Sequence, residues 1–324
     1  MMRPTIRQIQ IFESVARNKS FTRAAEELFI TQSTVSIQLK QLSDTLGVQL
    51  IEQVGKKLYL TRAGEAQLAN CQRLLSTLRE MESDAASFHE KPQGILSISG
   101  TITSQFFLPR VFGAFSKKYP EVDIIFQVST RPTIMERFAS NQDDLYVIGR
   151  IPEDMDIKVI PFVENPFIFI APIDHPLVGE KNITLRRVLQ EPFLTREPGS
   201  TTLKEIQRYC DENKVSINQK MVLGGNEAIK QGVIGGLGIS VLSRFATTLE
   251  LSLGLIAELD VENFPLQSQW YIGYPTGKKP SPATNAFLDF VRDEGRVIAH
   301  DCLYPQLRTV HNVDIKPDTV VSID

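Results

Sequence analysis

Two short helical patterns separated by a tight turn stand near the start of the chain. Ser20 is a candidate N-cap of the first helix, in which the small pair Ala24 and Ala25 is followed by Leu28. Thr31 can cap the second helix. Its apolar positions recur at i, i+4, i+7 and i+11, namely Val35, Leu39, Leu42 and Leu46. The spacing predicts a helix-turn-helix in which these four side chains face the core.

The opposite face of the second helix is polar and carries no carboxylate. Hydroxyl, amide and ammonium groups of this kind suit base edges and phosphates. An ordinary amphipathic surface pair is the alternative that this face alone leaves open. The residues predicted to contact DNA from the two helices are Arg23, Thr31, Gln32, Ser33, Thr34, Ser36 and Lys40.

A hairpin pattern follows the second helix. Gly47 stands where a C-cap glycine would end that helix. Residues 48–53 and 57–61 then predict two short strands around a tip at residues 54–56. Lys56 and Lys57 make this hairpin a basic wing, and both are predicted to contact DNA.

A long helix is predicted from Thr61 to about His89, a stretch without proline and, after Gly64, without glycine. Its apolar stripe alternates spacings of three and four over Cys71, Leu74, Leu78, Met81, Ala85 and Phe88. An apolar stripe of that length is expected to be buried against another surface. We expect that surface to be the same helix of a second copy of the chain, and docking on the chain's own domains is the alternative. Pro92 and Gly94 mark the end of the helix.

The rest of the chain alternates strand and helix patterns, which indicates α/β layers arranged as two sub-domains. Residues 105–119 are predicted to form a helix. The predicted strands cover residues 95–100, 123–129, 145–149, 166–172, 193–195, 220–223, 239–242 and 269–274. We expect the chain to cross between the sub-domains near Phe162 and Gln267.

Small ligands of open α/β sheets lie beyond the carboxyl ends of strands, where helix N-termini present free N–H groups. Two hydroxyl-rich loops and two arginines past strand ends have that position and suit an anionic ligand. Ordinary helix capping is the alternative for each loop. The candidate effector-binding residues are Thr101, Thr103, Ser104, Arg131, Arg150, Thr195, Arg196, Ser200, Thr201 and Thr202.

Charge is unevenly distributed over the 324 residues, whose formal net charge is −3. Residues 1–62 hold 9 lysines and arginines against 5 aspartates and glutamates, so this segment is +4 and the remainder −7. A basic head on an acidic body fits a protein that meets phosphate only through its head. Chance asymmetry is the alternative.

The sequence gives little support for a redox, metal-binding, catalytic or membrane-spanning function. Cys71, Cys210 and Cys302 are far apart and predict reduced thiols. The four histidines have no metal-ligand neighbours, and no nucleophile elbow or dinucleotide loop is present, so neither an enzyme nor a metal site is expected. The glycine-rich run 232–238 follows a helix pattern and predicts a turn. No signal peptide or bilayer-spanning run is found, which predicts a cytoplasmic protein.

From Ala24 to Gly64 the chain resembles the LysR-type transcriptional regulators, through paired alanines, Thr-Gln-Ser, Val-Ser, Leu-Gly and Leu-Thr-x-Ala-Gly at fixed spacings. It departs at Ile37, where many members carry a basic residue, and at Ile51, where Phe is usual. The resemblance implies a multidomain α/β chain: an N-terminal winged helix-turn-helix, a long linker helix and a C-terminal sensor of two sub-domains, similar to periplasmic binding proteins. The implied extents are 1–62, 63–91 and 92–300, with sub-domain I at 92–162 and 268–300, sub-domain II at 163–267, and a tail at 301–324.

The resemblance further implies binding of double-stranded DNA, assembly into a dimer or tetramer, action on RNA polymerase and control by a small-molecule effector, with no cofactor. Residues 52–57, 149–154, 171–177 and 196–200 look like the branch that controls carbon-fixation genes. Members of that branch respond to phosphorylated sugars, phosphoglycolate-type acids or NADPH, although Leu203 replaces an arginine frequent in the branch. A regulator of another pathway is the alternative, and a solute-binding protein would need an export signal.

Overall fold

The computed structural model describes residues 3–55, 57–86, 92–152 and 155–304. By contact density the described residues form two compact units. Unit 1 comprises those within 3–105, 111–162 and 270–295, and unit 2 those within 106–110, 163–269 and 296–304. The chain therefore changes unit after Phe162 and after Gln269. The segments 106–110 and 296–304 belong to unit 2, which differs from the predicted extents of the sub-domains.

The first part of unit 1, called the head here, is a three-helix bundle with a two-stranded wing: α1 (Ile6–Asn18), α2 (Phe21–Glu27), α3 (Gln32–Leu46), β1 (Ile51–Val54) and β2 (Lys57–Leu60). Helix α2 is capped by Ser20, whose hydroxyl accepts from the Arg23 N–H at 3.3 Å. Helix α3 ends at Gly47, which has the left-handed φ of 69° that glycine adopts without strain. The predicted caps of both helices are confirmed.

The head core forms where the apolar stripe of α3 meets α1 and α2. Val35, Leu39 and Leu42 are buried as predicted, and Leu46 packs partly against the same cluster. Ala24 is fully buried, and its small side chain lets α2 approach α3 closely. Because the apolar stripe is committed to this core, the polar face of α3 must point outward.

The linker helix α4 (Arg62–Ala86) packs on the head with its first turns. Cys71 is buried in the head core, with Leu68 and Leu75 partly buried beside it. The assignment of Cys71 to the pairing stripe is therefore wrong, because this part of the helix is covered by its own chain. Leu74 and Met81 point away, with 58% and 62% of their surfaces exposed.

A polar junction joins α4 to the sensor part of unit 1. The Ser76 hydroxyl, which is buried, donates to the Asn141 carbonyl at 2.9 Å and accepts from Asn141 Nδ2 at 2.7 Å. Lys278 Nζ donates to Asn141 Oδ1 at 3.2 Å and to the Asp143 carbonyl at 2.8 Å, and pairs with Asp144 at 3.2 Å. Three segments distant in sequence, at Ser76, at residues 141–144 and at Lys278, are thus joined by one set of polar contacts.

The sensor part of unit 1 is a five-stranded sheet in the order β4-β3-β5-β12-β6 with helices around it. Strands β4 and β5 both run parallel to β3, whereas β12 is antiparallel to β5. Its elements are β3 (Gly94–Thr101), α5 (Leu108–Lys118), β4 (Val122–Ser129), α6 (Arg131–Ala139), β5 (Leu145–Ile148), β6 (Ile157–Glu164), β12 (Gln269–Pro275) and α11 (Pro282–Phe290).

Unit 2 contains two small sheets. Strand β7 is flanked by β10 and β11, both antiparallel to it, and β8 pairs with β9 in parallel. Its elements are β7 (Phe167–Pro172), α7 (Leu185–Val188), β8 (Phe193–Arg196), α8 (Thr201–Glu212), β9 (Gln219–Leu223), α9 (Asn226–Ile234), β10 (Ser240–Ser243), α10 (Thr248–Ser252), β11 (Ile256–Leu259) and α12 (Arg296–Asp301). The glycine-rich run after α9 forms a turn, as predicted.

Several predicted elements need correction. The helix expected at 105–119 is a 3₁₀ turn, Ile102–Phe106, followed by α5. The first wing strand begins at Ile51, three residues later than predicted. The sequence pattern does not predict strands β6 and β11, because Pro161 interrupts the pattern of β6, and Ala257 and Glu258 stand between the two buried residues of β11.

Some predictions lie outside the described residues. These are the contact of Lys56 with DNA, the place of Phe88 in the stripe, residues 153 and 154 of one resemblance motif, and the tail from residue 305 onward. Within the described ranges, no helix is both long and apolar enough to cross a membrane.

Two helical glycines allow a matched test of packing. A Cβ at Gly64 of α4 would lie 2.0 Å from the Leu50 carbonyl oxygen, whereas nothing lies within 4 Å of a Cβ at Gly113 of α5. We expect Gly64→Ala to lower the free energy of unfolding by about 1–3 kcal/mol through overpacking. Gly113→Ala should raise it by about 0.5–1 kcal/mol through helix propensity. Urea titration followed by circular dichroism measures both, and shifts of the same sign would contradict the close approach at Gly64.

Candidate functional site

The outward face of α3 is built by the helix-turn-helix geometry of the head. Its first residues follow the cap Thr31, and the exposed positions include Gln32, Ser33, Ser36 and Lys40. Arg23 lies exposed on α2, near the start of the same surface in sequence. The α3 positions therefore form a continuous solvent-facing stripe opposite the buried one.

The hydroxyls at the start of α3 are joined to one another. Thr31 Oγ1 accepts from the Thr34 N–H at 3.2 Å and lies 2.8 Å from Thr34 Oγ1 and 2.9 Å from Ser33 Oγ. This cluster satisfies a free N–H of the helix end, which fixes where α3 begins. Thr31 and Thr34 thus have a capping role in addition to the predicted contact with DNA.

Other side chains of the predicted interface keep their hydrogen-bonding groups available. In the part of the chain that the structure describes, the side chains of Arg23, Gln32, Ser36, Lys40 and Lys57 make no hydrogen bond or ion pair with the protein. Three cations and two uncharged groups therefore face solvent. This combination can donate to phosphates and both donate to and accept from base edges.

A groove of about 720 Å³ separates α3 from the wing. Ser36 and Lys40 line it from the helix, and Gln49 and Gln53 line it from the hairpin side. Asp44 also lines it, one helical turn beyond Lys40, and brings a carboxylate to this surface. Both polar and apolar side chains line the groove, and Lys57 is exposed at the start of the second wing strand.

In unit 1, the predicted effector residues gather where the parallel strands β3, β4 and β5 end. Thr101 ends β3, and Arg131 begins α6 directly after β4 and Thr130. The Arg131 guanidinium donates to the Arg150 carbonyl at 2.9 Å, which ties together the loops after β4 and β5. Ser104 is buried and donates back to the Thr101 carbonyl at 2.7 Å, whereas Thr101 and Thr103 are partly exposed.

In unit 2, the loop after β8 is held by an internal ion pair. Two guanidinium nitrogens of Arg196 each lie 2.8 Å from a carboxylate oxygen of Glu197, and a third donates to Asn226 Oδ1 at the start of α9. Glu197 also accepts from the Gly225 N–H at 3.2 Å. Arg196 is only 5% exposed, so an effector anion at Arg196 would compete with a carboxylate already in place.

The remaining unit 2 candidates surround the start of α8. Ser200 caps the helix by position but makes no side-chain cap hydrogen bond, and Thr201 is partly exposed. Thr202 is buried, and Thr195 donates from inside β8 to Gln219 Oε1 at 3.2 Å and the Met221 carbonyl at 3.3 Å. Free N–H groups and two accessible hydroxyls therefore make this helix end receptive to an anion.

The sequence analysis did not name Glu197, Asn226 or Thr130 among the candidate residues of these loops. Thr130 lies 3.2 Å from Thr133 through their hydroxyl oxygens and precedes α6. A carboxylate directly after Arg196 was an available signal for an internal ion pair. The role of Asn226 depends on β8 and β9 being neighbours, which the sequence pattern does not give.

The three thiols are free and buried. Burial raises the pKa of Cys71 and of Cys210 to about 11 and also raises the pKa of Cys302. Thiols held in the protonated form are poor nucleophiles. No group of three or more potential ligands among His, Cys, Asp and Glu is gathered around a point in the described ranges.

Comparison with protein families gives two matches that together span most of the chain. Residues 6–65 match the bacterial regulatory helix-turn-helix protein of the lysR family. Residues 89–296 match the LysR substrate binding domain.

Two curated relatives are similar over nearly their whole length. The HTH-type transcriptional activator CmpR of Synechocystis is 44% identical over 92% of this chain and 99% of its own. The RuBisCO operon transcriptional regulator of Acidithiobacillus ferrooxidans is 42% identical over 89% of this chain and 93% of its own.

Two solved structures are also similar. The regulatory domain of Synechocystis CcmR in complex with 2-PG is 38% identical, covers 61% of this chain and 96% of its own, and has a TM-score of 0.59. Full-length CbnR complexed with its target DNA covers 89% of this chain and 99% of its own with a TM-score of 0.67, and at 19% identity it shows the shared fold.

The ion pair after β8 predicts a specific titration. The Arg196 guanidinium holds the pKa of Glu197 at about 2, well below the ordinary value of 4.5 for a glutamate. A depressed pKa means that the carboxylate stabilises the fold above pH 4.5 and that this contribution is lost as the pH falls toward 2. Carbon-detected NMR of side-chain carboxyls should find Glu197 ionised at pH 3.5, and Arg196→Met should move its pKa upward. An ordinary titration of Glu197 in the unsubstituted protein would contradict the pairing.

Proposed function

The chain belongs to the LysR family of DNA-binding transcriptional regulators, and on that premise we propose that it controls carbon-fixation genes in response to a small anionic metabolite. The observation that carries the proposal is full-length similarity to regulators of this process. Activator CmpR and a RuBisCO operon regulator each match about nine-tenths of the chain at more than 40% identity.

The head supplies the DNA contact. The α3 face carries Gln32, Ser36 and Lys40 with no protein partner among the described residues, and the head segment has an excess of positive charge. A recognition helix of a winged helix-turn-helix enters the major groove with its N-terminal residues at base edges. We assign base reading to Gln32 and Ser36, and phosphate contact to Lys57.

Linker helix α4 supports the proposed dimer. Leu74 and Met81 are seven residues apart, which places them on one side of the helix, and both are largely exposed in the single chain. A second copy of α4 would cover them. Two heads joined in this way would read an interrupted inverted repeat, and tetramers remain part of the proposal.

We propose a small phosphorylated acid such as 2-phosphoglycolate as the effector. CcmR, 38% identical over its regulatory domain, was solved with 2-PG. Two separate surfaces of the present chain suit an anion: the threonines at the strand ends of unit 1 and the start of α8 in unit 2. NADPH and phosphorylated sugars are further candidates, and no cofactor is proposed.

The mechanism we propose is a population shift. An effector with greater affinity for one shape of the oligomer raises the population of that shape and changes the spacing of the heads on DNA. The altered geometry then changes the recruitment of RNA polymerase. We propose a cytoplasmic location, because the protein would act on DNA and respond to a metabolite there.

Variants of the head separate base reading from phosphate contact. Gln32→Ala or Ser36→Ala should relax sequence preference at one position, at a cost of about 1–3 kcal/mol for the preferred site. Lys57→Ala should weaken all duplexes alike and reduce the slope of log affinity against log salt by about 1. Gel shifts with upstream regions of carbon-fixation genes at several salt concentrations measure both. The reverse pattern would refute the assigned roles.

Thermal shift with 2-phosphoglycolate tests the effector. At a concentration of about 100 times its Kd, a ligand that binds the folded state stabilises it by about 2.7 kcal/mol. Glycolate and inorganic phosphate serve as matched controls, each lacking one anionic group. Thr103→Val and Thr201→Val test the two surfaces separately. Equal shifts with all three compounds would reject the phosphorylated acid while leaving the DNA results unaffected.

A further inference from the structure

Ile37 is an apolar residue in the middle of the DNA-facing surface. It follows Val35 by two positions, so it lies about 200° around α3 from that buried residue and almost opposite the core. Its surface is 55% exposed. Ser33 and Lys40, at i−4 and i+3 from Ile37, are its neighbours on the helix surface.

The fold gives no reason for isoleucine at this position. Val35, Leu39 and Leu42 already supply the core contacts of α3, and Ile37 is not among the residues that pack against the head core. Isoleucine is also a weaker helix former than alanine, lysine or glutamine, so local helix stability does not favour it. A contact outside the protein accounts for an exposed apolar side chain flanked by hydrogen-bonding groups.

The chemistry of the major groove identifies that contact. Among the four bases, thymine alone presents a methyl group at the major-groove edge, and apolar side chains contact it. Ile37 is the sixth residue of α3, within the first two turns, which is the part of a recognition helix that reaches base edges. An isoleucine can bury a methyl group but cannot contact phosphate by charge.

We propose that Ile37 is a specificity-determining residue that reads the 5-methyl group of one thymine in each half-site. The inference rests on α3 being the DNA-reading helix, and it is independent of the gene set and of the effector. Ser33 and Lys40 hydrogen-bond beside it, so the helix reads one base by apolar contact within an otherwise polar surface.

Uracil substitution tests this contact, because uracil differs from thymine only by the methyl group. The full-length protein first selects a duplex from a random pool, which tests DNA binding whatever Ile37 does. Each thymine of the selected duplex is then replaced singly by uracil. Affinity is measured for the unsubstituted protein, for Ile37→Ala and for Ile6→Ala, a control that removes a similarly exposed isoleucine (52%) from α1.

We expect one uracil per half-site to weaken the unsubstituted protein roughly fourfold, the effect of burying about one methyl group. Ile37→Ala should bind the thymine and uracil duplexes equally, whereas Ile6→Ala should keep the fourfold ratio. Such a double-mutant cycle isolates the pair from any general loss of affinity. Ile37→Val should give an intermediate ratio, which keeps the test informative if the alanine variant folds poorly.

Ile37→Arg gives an independent readout. The added cation should strengthen binding to all duplexes at low salt and increase the salt dependence, while the thymine-to-uracil ratio falls to about 1. The proposal is overturned if the ratio at every thymine is unchanged in Ile37→Ala, or if no uracil weakens the unsubstituted protein.

Discussion

Burial of one stripe of α3 is the constraint on which the function of this protein depends. Val35, Leu39 and Leu42 pack against α1 and α2, and the small Ala24 lets the helices approach. Because one face of α3 is held by the core, the orientation of the opposite face is also determined. The hydrogen-bonding groups of Gln32, Ser36 and Lys40, together with Ile37, are presented to solvent because the core holds the opposite side in place.

The head was predictable because its signals are local. Helical periodicity assigned the buried positions of α3, and Ser20, Thr31 and Gly47 marked helix ends by their own chemistry. The burial of the linker helix was harder to predict. Spacing places Cys71, Leu74 and Met81 on a stripe, but spacing cannot tell which surface covers each residue. Cys71 belongs to the head core, whereas Leu74 and Met81 remain exposed.

In the sensor, the sequence located most strands but not the contacts between them. Strand β6 was not predicted because it contains Pro161, and β11 because Ala257 and Glu258 stand between its two buried residues. The arginine of the β8 loop was recognised as a cation, yet its state depends on Glu197 beside it and on Asn226, which is brought near by the parallel pairing of β8 and β9. The pattern of a single sequence does not reveal which strands become neighbours. The sequence therefore identified candidate effector residues but not the contacts that they make within the protein.

The hydrogen bonds among Ser76, Asn141 and Lys278 couple the linker helix mechanically to the sensor part of unit 1. Ser76 is on α4 five residues beyond Cys71, the point at which the same helix is embedded in the head. Less than two turns of helix therefore separate the attachment of the sensor from that of the head. A displacement of the sensor part of unit 1 must therefore either break the hydrogen bonds of Ser76 or rotate the head. The helical segment between the two attachments is too short to absorb the displacement by bending.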